Sequence, residues 1–428
     1  MWISGKLNRV RTRKALEICM LNPNSNAFNK INSLVIASLR KLQNISNPRF
    51  KFFSTVFELW LGLPVRYTML NLSRIGIYSE KSIRLHFEKL FDFVSFNAGL
   101  IKESCSKDLI AAFDPSFIPK SGKQTPGLGR WWSGKNQCTL KGLEISVLSI
   151  VDIKAATAMS LEAIQTPSRE VLQAKEQNLV SHYVSIIQKQ MPALKAMVKY
   201  LVADGYFMKH DFIAPLLREG LHIITKMRPD ANLRYAYNGP KESRPGRPKT
   251  YDGKVDCGNI DKRRIKKFDE DGQWVYYSGI VYCMALKQLV RIVYLQDKQT
   301  KRYDIFVCTD ILINTKLILK YYRLRFQIEF LIRDAKQHCG LEECQARSEN
   351  KLYFHFNMAL SAVSVAKAGT WLLLSKEKRE AFSMRNIKLM YYNKIMTERI
   401  FSNLALDLNC TKIKRLFNQC LDIGALAA

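Results

Sequence analysis

The chain has 428 residues and carries 67 lysines and arginines against 37 aspartates and glutamates, a formal net charge of +30. An apolar content of 47% indicates a folded protein and excludes a disordered one. A positive charge of this size favours a polyanion such as DNA or RNA as the partner, although a ribosomal or membrane-surface protein could carry it too. The length predicts roughly two or three domains.

Cysteine usage and hydropathy favour a cytoplasmic protein without membrane contact. The ten cysteines show no disulfide framework and no paired CxxC motifs, which is typical of free thiols in a reducing compartment. No signal peptide is expected, because the N-terminus lacks a long apolar run. The most apolar stretch, residues 354–374, is interrupted by His355, Asn357 and Lys367. It is therefore expected to be a buried helix and not a membrane span.

Residues 1–105 are predicted to form a helical, DNA-binding N-terminal region. Its clearest helices are expected over residues 52–61, 66–74 and 79–93. Ser79 is expected to be the N-cap of the third helix. The last two helices, joined by a turn at Gly76, resemble a helix-turn-helix over residues 66–93, in which Arg84 would contact DNA. An ordinary helical hairpin fits the same pattern.

The pattern changes to strands in residues 106–228. The expected elements are strands 109–113, 143–153 and 158–166, helix 169–190, strand 199–203, helix 209–218 and strand 221–228. Asp114 and Asp204 each follow a strand, where an aspartate is often only a turn or cap residue. This order of elements is that of the ribonuclease H-like fold, in which the first and fourth strands are neighbours. The two aspartates are then expected side by side, in an oxygen-rich site suited to Mg²⁺.

Residues 229–308 interrupt this order before the last helix. Their first half is basic and rich in turn residues, and its RPGRP segment at residues 244–248 resembles a minor-groove hook that would use Arg247. A flexible basic loop fits that segment equally well. The second half alternates and is rich in β-branched and aromatic residues, which predicts a hairpin or small sheet.

Residues 309–350 are expected to complete the core with one helix from Thr315 to Cys339, which lacks glycine and proline and is stopped by Gly340. At about 100° per residue, four of its polar side chains share a stripe roughly 60° wide. They are Tyr322, Arg325, Glu329 and Lys336. A carboxylate in line with two cations and a phenol fits a metal-binding acid beside a phosphate backbone. A solvated, salt-bridged face is the alternative. Residues 351–428 are expected to form a helical C-terminal region.

Asp114, Asp204 and Glu329 together resemble the catalytic triad of the DDE transposases. The pattern Tyr322-x2-Arg325-x3-Glu329-x6-Lys336 matches the YREK signature of the insertion sequence 4 family of bacterial transposases. The segment Asp204-Gly205-Tyr206-Phe207 is similar to the block around that family's second aspartate.

Two departures from the family pattern stand near these residues. Pro115 and Ser116 follow Asp114, where many members carry a second acid and a hydroxyl. Phe326 stands where a tryptophan is common. Neither departure touches the triad, so activity is still expected, although an inactivated copy of the element fits the sequence too.

The resemblance implies an α/β fold: a ribonuclease H-like catalytic core with a β-rich insertion before the last catalytic helix, plus helical N-terminal and C-terminal regions. It implies that Asp114, Asp204 and Glu329 hold two Mg²⁺ ions, for which Mn²⁺ can substitute. These ions would support cleavage of a DNA strand and its transfer to a target.

The family also implies how DNA is held. Arg325 and Lys336 would bind phosphates near the cleaved end, and Tyr322 would hydrogen-bond or stack there. Trp274 or Tyr303 would stack on a flipped base. The implied partners are double-stranded DNA at the element ends and target, and a second copy of the chain in a homodimer on paired ends. The implied location is the bacterial cytoplasm, at the nucleoid. The alternatives are a ribonuclease H-like nuclease or resolvase, which cuts without joining, and a catalytically inactive DNA-binding protein.

Overall fold

The computed structural model describes residues 26–237, 239–240, 249–372, 374, 381–407, 409–421 and 423–424. Arg247 and the RPGRP segment lie outside the described residues.

The first described elements are helices. They are α1 (Asn26–Arg40), α2 (Asn47–Gly62), α3 (Met69–Ile75), α4 (Glu80–Glu88) and α5 (Phe93–Ser104). Side-chain caps fix their starts: the Thr68 hydroxyl accepts the Asn71 N–H, and the Ser79 hydroxyl accepts the Ser82 N–H. The single helix predicted over residues 79–93 is wrong, because extended backbone at Lys89 ends α4 and Asp92 caps a separate α5.

Strands and short helices follow in chain order. They are β1 (Leu109–Pro119), β2 (Gly129–Ser133), β3 (Cys138–Asp152), β4 (Thr157–Gln165), α6 (Arg169–Ala174), α7 (Leu179–Lys189), α8 (Met191–Lys195), β5 (Tyr200–Ala203), α9 (His210–Arg218) and β6 (His222–Met227). The helix predicted over residues 169–190 is wrong as one piece. Glu176 has a φ of 53°, and a capping box at Asn178 starts a new helix, α7.

The remaining strands and helices complete the described chain. They are β7 (Leu233–Ala236), β8 (Tyr251–Lys254), β9 (Lys266–Glu270), β10 (Trp274–Cys283), β11 (Gln288–Asp297), β12 (Tyr303–Cys308), α10 (Thr315–Leu324), α11 (Phe326–His338), α12 (Glu349–Lys367), α13 (Met384–Asn403) and α14 (Thr411–Leu421). A short π-helical segment, Ala368–Leu372, continues α12.

The strands form one mixed sheet, so the mixed α/β architecture predicted from the sequence is confirmed. Its main path runs β2-β3-β1-β5-β6-β12-β11-β10-β7-β8, with β4 paired to β3 and β9 paired to β10. The pairs β1–β5 and β5–β6 are parallel, whereas β1–β3 and β3–β4 are antiparallel. The strands of residues 229–308 do not make a separate small sheet, because β12 pairs with the edge of β6 and extends the same sheet.

The prediction that Asp114 follows its strand is wrong, because this residue lies inside β1. Its strand β1 stays paired with β3 from Leu109 through to Pro119, far past the apolar run that the sequence displays. Pairing with β5 stops at Phe113, so the proline at residue 115 has no ladder partner on that side to lose.

The predicted helix from Thr315 to Cys339 is interrupted at Arg325, which separates α10 from α11. The Arg325 N–H bonds to the Tyr322 carbonyl at 3.0 Å, and the Ile328 N–H bonds to the Arg325 carbonyl at 3.1 Å. Both bonds span three residues, so the helix is locally tightened. Because Arg325 itself keeps helical angles, the stripe of polar side chains stays on one side.

Polar side chains of the buried helix α12 cover the outer edge of β4. Asn357 exchanges two hydrogen bonds of 2.8 Å with the backbone of Ala163. The Ser364 hydroxyl accepts the Ser160 N–H at 2.9 Å, and Lys367 donates to the Ala158 carbonyl at 3.1 Å. These contacts explain Asn357 and Lys367 in this apolar stretch, because an exposed strand edge needs hydrogen-bond partners. The third polar interruption, His355, has its Nε2 at 2.7 Å from the Gly340 carbonyl. Among the described residues, every helix is too short or too polar to span a bilayer.

Tyr67 connects the N-terminal helices to the end of α11. Its hydroxyl lies 2.9 Å from the Trp60 carbonyl and 2.8 Å from the His338 carbonyl, and its ring fills the space beside Gly340. Gly340 has a φ of +67°, which confirms it as the predicted helix stop.

Replacing Tyr67 by phenylalanine is expected to lower the free energy of unfolding by about 1–2 kcal/mol, because a buried hydrogen bond is lost at unchanged ring packing. Urea unfolding of the purified protein measures the change. Tyr206→Phe, at a residue with an exposed ring, is the matched control and should unfold like the wild type. Equal stability of Tyr67→Phe and wild type would contradict the expectation.

Candidate active site

Asp114 and Asp204 are brought together by the parallel pairing of β1 and β5. The register aligns Phe113 with Ala203, so the two aspartates are the next residues along the neighbouring strands. Adjacent strands lie about 4.8 Å apart, which puts the carboxylates within direct electrostatic reach. The Asp204 carboxylate also accepts the Gly205 N–H at 2.6 Å, so it is a turn cap as well.

Glu329 joins this pair through a shared arginine. The Arg325 Nη2 donates to the Glu329 carboxylate at 2.8 Å, and its Nη1 lies 4.0 Å from the Asp114 carboxylate. The arginine side chain is 8% exposed, against 24% for Asp114 and 43% for Glu329. The sequence-predicted triad is therefore arranged around a buried guanidinium.

Burial and mutual repulsion perturb the ionisation of the cluster. Burial, together with the negative charges of Glu329 and Asp204, raises the pKa of Asp114 to about 7, against the opposing effect of Arg325. Burial by itself lowers the pKa of Arg325, but the charges of Glu329 and Asp114 outweigh burial and raise it. The site therefore has more negative charge than one arginine neutralises.

Glu144 is a buried acid beneath this cluster that the sequence reasoning missed. It accepts a 2.6 Å hydrogen bond from the Tyr183 hydroxyl, and its charge contributes to the raised pKa of Asp114. Burial raises the pKa of Glu144 itself. The available signal was a single acid inside the apolar run of β3.

Tyr322 and Lys336 flank the arginine and the glutamate on the same helical stripe. The Tyr322 ring is buried against Phe306, with ring centroids 4.7 Å apart, and burial raises its pKa. A ring covered in this way is not free to stack on a base, so of its two predicted roles only hydrogen bonding fits. Lys336 donates to the Phe117 carbonyl of β1 at 2.6 Å and pairs with Glu342 at 3.0 Å.

The donor set around Asp114 fits a divalent cation chemically. Carboxylate oxygens are the ligands that Mg²⁺ and Mn²⁺ prefer, and a bound cation would relieve the repulsion that raises the pKa of Asp114. Within the described ranges, no three side chains of the metal-binding types are grouped closely enough to hold an ion as they stand. The Arg325 guanidinium lies between Asp114 and Glu329, and it would have to shift for the carboxylates to share an ion.

Arg325 also has a hydrogen-bond donor to spare. Its Nε is buried and has no partner among the described residues. A buried donor without an acceptor is costly, and a phosphate oxygen would satisfy it.

The other predicted DNA contacts lie away from the carboxylates. Arg84 is on α4 and pairs with Glu80 one helical turn earlier. Trp274 starts β10, at the same end of the sheet as Asp204 but four strands away, about 19 Å at the usual strand spacing. Tyr303 starts β12 and stacks on Tyr294 with a centroid distance of 5.2 Å. Arg247 lies outside the described residues.

The fold and the site together define a mixed α/β protein with an arginine-bridged carboxylate cluster where two parallel strands meet. Residues 185–365 match the family model described as the transposase DDE domain, which is less than half of the chain. The matched segment contains Asp204 and Glu329 and begins after Asp114. No curated protein matches the chain. The match supports a DDE transposase, and with it a transposase- or endonuclease-type enzyme whose substrate is DNA.

Proposed function

We propose that this protein is a transposase of the insertion sequence 4 type, with a ribonuclease H-like core, that cuts the ends of an insertion sequence and joins them to target DNA. The observation that carries the proposal is the grouping of Asp114, Asp204 and Glu329 around Arg325. The strand order β4-β3-β1-β5-β6 supports the ribonuclease H-like core.

In this proposal the three carboxylates hold Mg²⁺ or Mn²⁺. Such ions supply Lewis-acid activation of the attacking oxygen and stabilise the leaving oxygen. In cleavage, a water oxygen attacks the phosphorus, the phosphorus–O3′ bond breaks, and a 3′-hydroxyl is released. In joining, that hydroxyl attacks a target phosphodiester and displaces its O3′.

The residues of the stripe are proposed to bind and orient DNA. Arg325 would offer its spare Nε donor to a phosphate near the scissile bond, and Tyr322 would support the guanidinium from the buried side. Lys336, held by the Phe117 carbonyl, would contact a phosphate further along the strand. Metal binding by Asp114 and Glu329 together would require the guanidinium to leave its place between them.

The proposed function also includes further contacts with DNA and the assembly of a dimer. The packed pair α3 and α4, with Arg84 on the second helix, would serve as the helix-turn-helix of the predicted N-terminal DNA-binding region. Arg247 and Trp274 are proposed as further DNA contacts. A homodimer on paired ends, in the bacterial cytoplasm at the nucleoid, follows from the family resemblance alone.

The test is an assay with purified protein, Mg²⁺ and a labelled duplex carrying the DNA ends that flank the gene, run beside Asp114→Ala. We expect nicking at the end followed by joined product, with both absent in the variant. Nicking without joining would favour a nuclease or resolvase instead. Binding without any chemistry would favour a catalytically inactive DNA-binding protein.

A further inference from the structure

A cleft of about 860 Å³ lies beyond Lys336, between the N-terminal helices, the end of β1 and α13. Its wall carries six charged side chains from five separate parts of the chain. They are Arg66, Lys120, Lys141, Glu342, Glu343 and Lys388. Because these residues are far apart in sequence, no charge run in the sequence reveals the cleft.

Each acid of the cleft has a hydrogen-bond or ion-pair partner, whereas none of its bases is paired with a carboxylate in the described part of the chain. Glu342 pairs with Lys336 at 3.0 Å, and Glu343 accepts the Tyr67 N–H at 2.6 Å. In the described part of the chain, no carboxylate lies within ion-pair distance of the four basic side chains of the cleft. With Glu342 neutralised by Lys336, four bases outnumber the single acid Glu343, so the cleft carries an excess of positive charge.

Two of these bases are held in a partly desolvated position. Burial lowers the pKa of Lys120, and the neighbouring Arg66 lowers it further. Burial also lowers the pKa of Lys388, whose ammonium lies 4.9 Å from the Tyr67 ring centre. Like charges that outnumber their counter-ions are unfavourable, and a bound polyanion would stabilise them.

We propose that this cleft binds the phosphodiester backbone of duplex DNA at a distance from the bond that is cut. The proposal rests on the proposed transposase function, since it assigns the path of that substrate. It adds Arg66, Lys120, Lys141 and Lys388 as positioning residues.

Strand β1 connects the cleft to the carboxylates and fixes the spacing. Asp114 lies at the carboxylate cluster, the Phe117 carbonyl holds Lys336, and Pro119 and Lys120 border the cleft. Six residues of extended chain span about 20 Å. At about 3.4 Å per base pair, the cleft reaches phosphates roughly six base pairs from the cleaved bond. Lys336 lies between the two positions, so a continuous basic path is available.

The test compares duplex binding by the full chain with Lys120→Gln/Lys388→Gln at several salt concentrations. We expect the double variant to bind a duplex of about 20 base pairs roughly tenfold more weakly, with the slope of log affinity against log salt reduced by about 1.8, because two phosphate contacts are lost. Arg66→Gln/Lys141→Gln, at two exposed residues, repeats the test if the first variant does not fold.

Lys107→Gln/Lys195→Gln is the matched control. It removes the same charge from exposed residues, one of which precedes β1 at the end opposite to the cleft. An equal loss in the control, or an unchanged salt slope in both cleft variants, would overturn the proposal. So would cleft variants that keep duplex binding but lose binding of an acidic peptide such as polyaspartate.

Different results would contradict the proposed function and the proposed role of the cleft. A wild-type protein that neither cuts nor joins DNA would reject the proposed function, while the salt slopes would still report whether the cleft binds duplex. Normal cutting and joining by a cleft variant with unchanged affinity would reject the cleft alone.

Discussion

Replacing Glu329 by glutamine is expected to reduce both end cleavage and strand joining at least about 1,000-fold, while duplex binding stays within about twofold of wild type. The neutral amide keeps the size of the side chain but removes one of the three charges that would hold a divalent cation, and such electrostatic contributions are worth several kcal/mol. The rates are measured with labelled element ends and Mg²⁺, and binding is measured separately without metal.

The control variants remove similar charges outside the cluster. Glu349→Gln changes an exposed glutamate at the start of α12, and Asp211→Asn changes an exposed aspartate seven residues after Asp204. Both should cut and join at wild-type rates. Full activity in Glu329→Gln, with normal folding and DNA binding, would remove this residue from the proposed site and with it the triad.

Replacing Asp114 by asparagine is expected to stabilise the metal-free protein by about 2 kcal/mol at pH 8. The side chain is largely buried, and its pKa is raised to about 7 by burial and by neighbouring carboxylates, so ionisation is unfavourable in the folded state. The gain is smaller than the full pKa shift implies, because the site is partly open to solvent.

The difference in unfolding free energy between Asp114→Asn and wild type should increase as the pH rises. Between about pH 4 and pH 7 the folded state keeps a proton on Asp114 that the unfolded chain releases. This stabilising contribution is present below pH 4 and is lost as the pH rises through 7. Wild type and Asp114→Asn should therefore have similar stability at pH 4 and diverge towards pH 8.

Urea unfolding in EDTA across this pH range measures both free energies. Asp230→Asn is the matched control, because it changes an exposed aspartate outside the cluster and should unfold like the wild type at every pH. A difference between Asp114→Asn and wild type that does not change with pH would show that Asp114 is ionised normally in the folded protein.

Part of the site could be predicted from local pattern alone. The stripe of Tyr322, Arg325, Glu329 and Lys336 follows from helical periodicity, and it survives the interruption at Arg325 because that residue keeps helical angles. The predicted order of strands and helices also agreed closely with the observed elements around β1, β5 and β6. Short-range patterns suffice here because backbone hydrogen bonding and side-chain alternation act within a few residues.

Other features depended on contacts between distant segments. Asp114 lies inside β1 because β3 continues to pair beyond the apolar run, and the β-rich residues 229–308 extend the sheet because the edge of β6 is free to accept β12. Neither outcome has a local signature, since strand pairing is decided by which edges meet in space.

Local patterns in the chain predicted the candidate residues of the proposed site and the kinds of element on which they lie. Contacts between distant segments place Arg325 between Asp114 and Glu329, bring Glu144 beneath them, and gather bases without carboxylate partners in one cleft. The reason is physical: charge and hydrogen-bonding capacity belong to single side chains, whereas pKa shifts and anion affinity arise from distances between side chains that only the folded chain fixes.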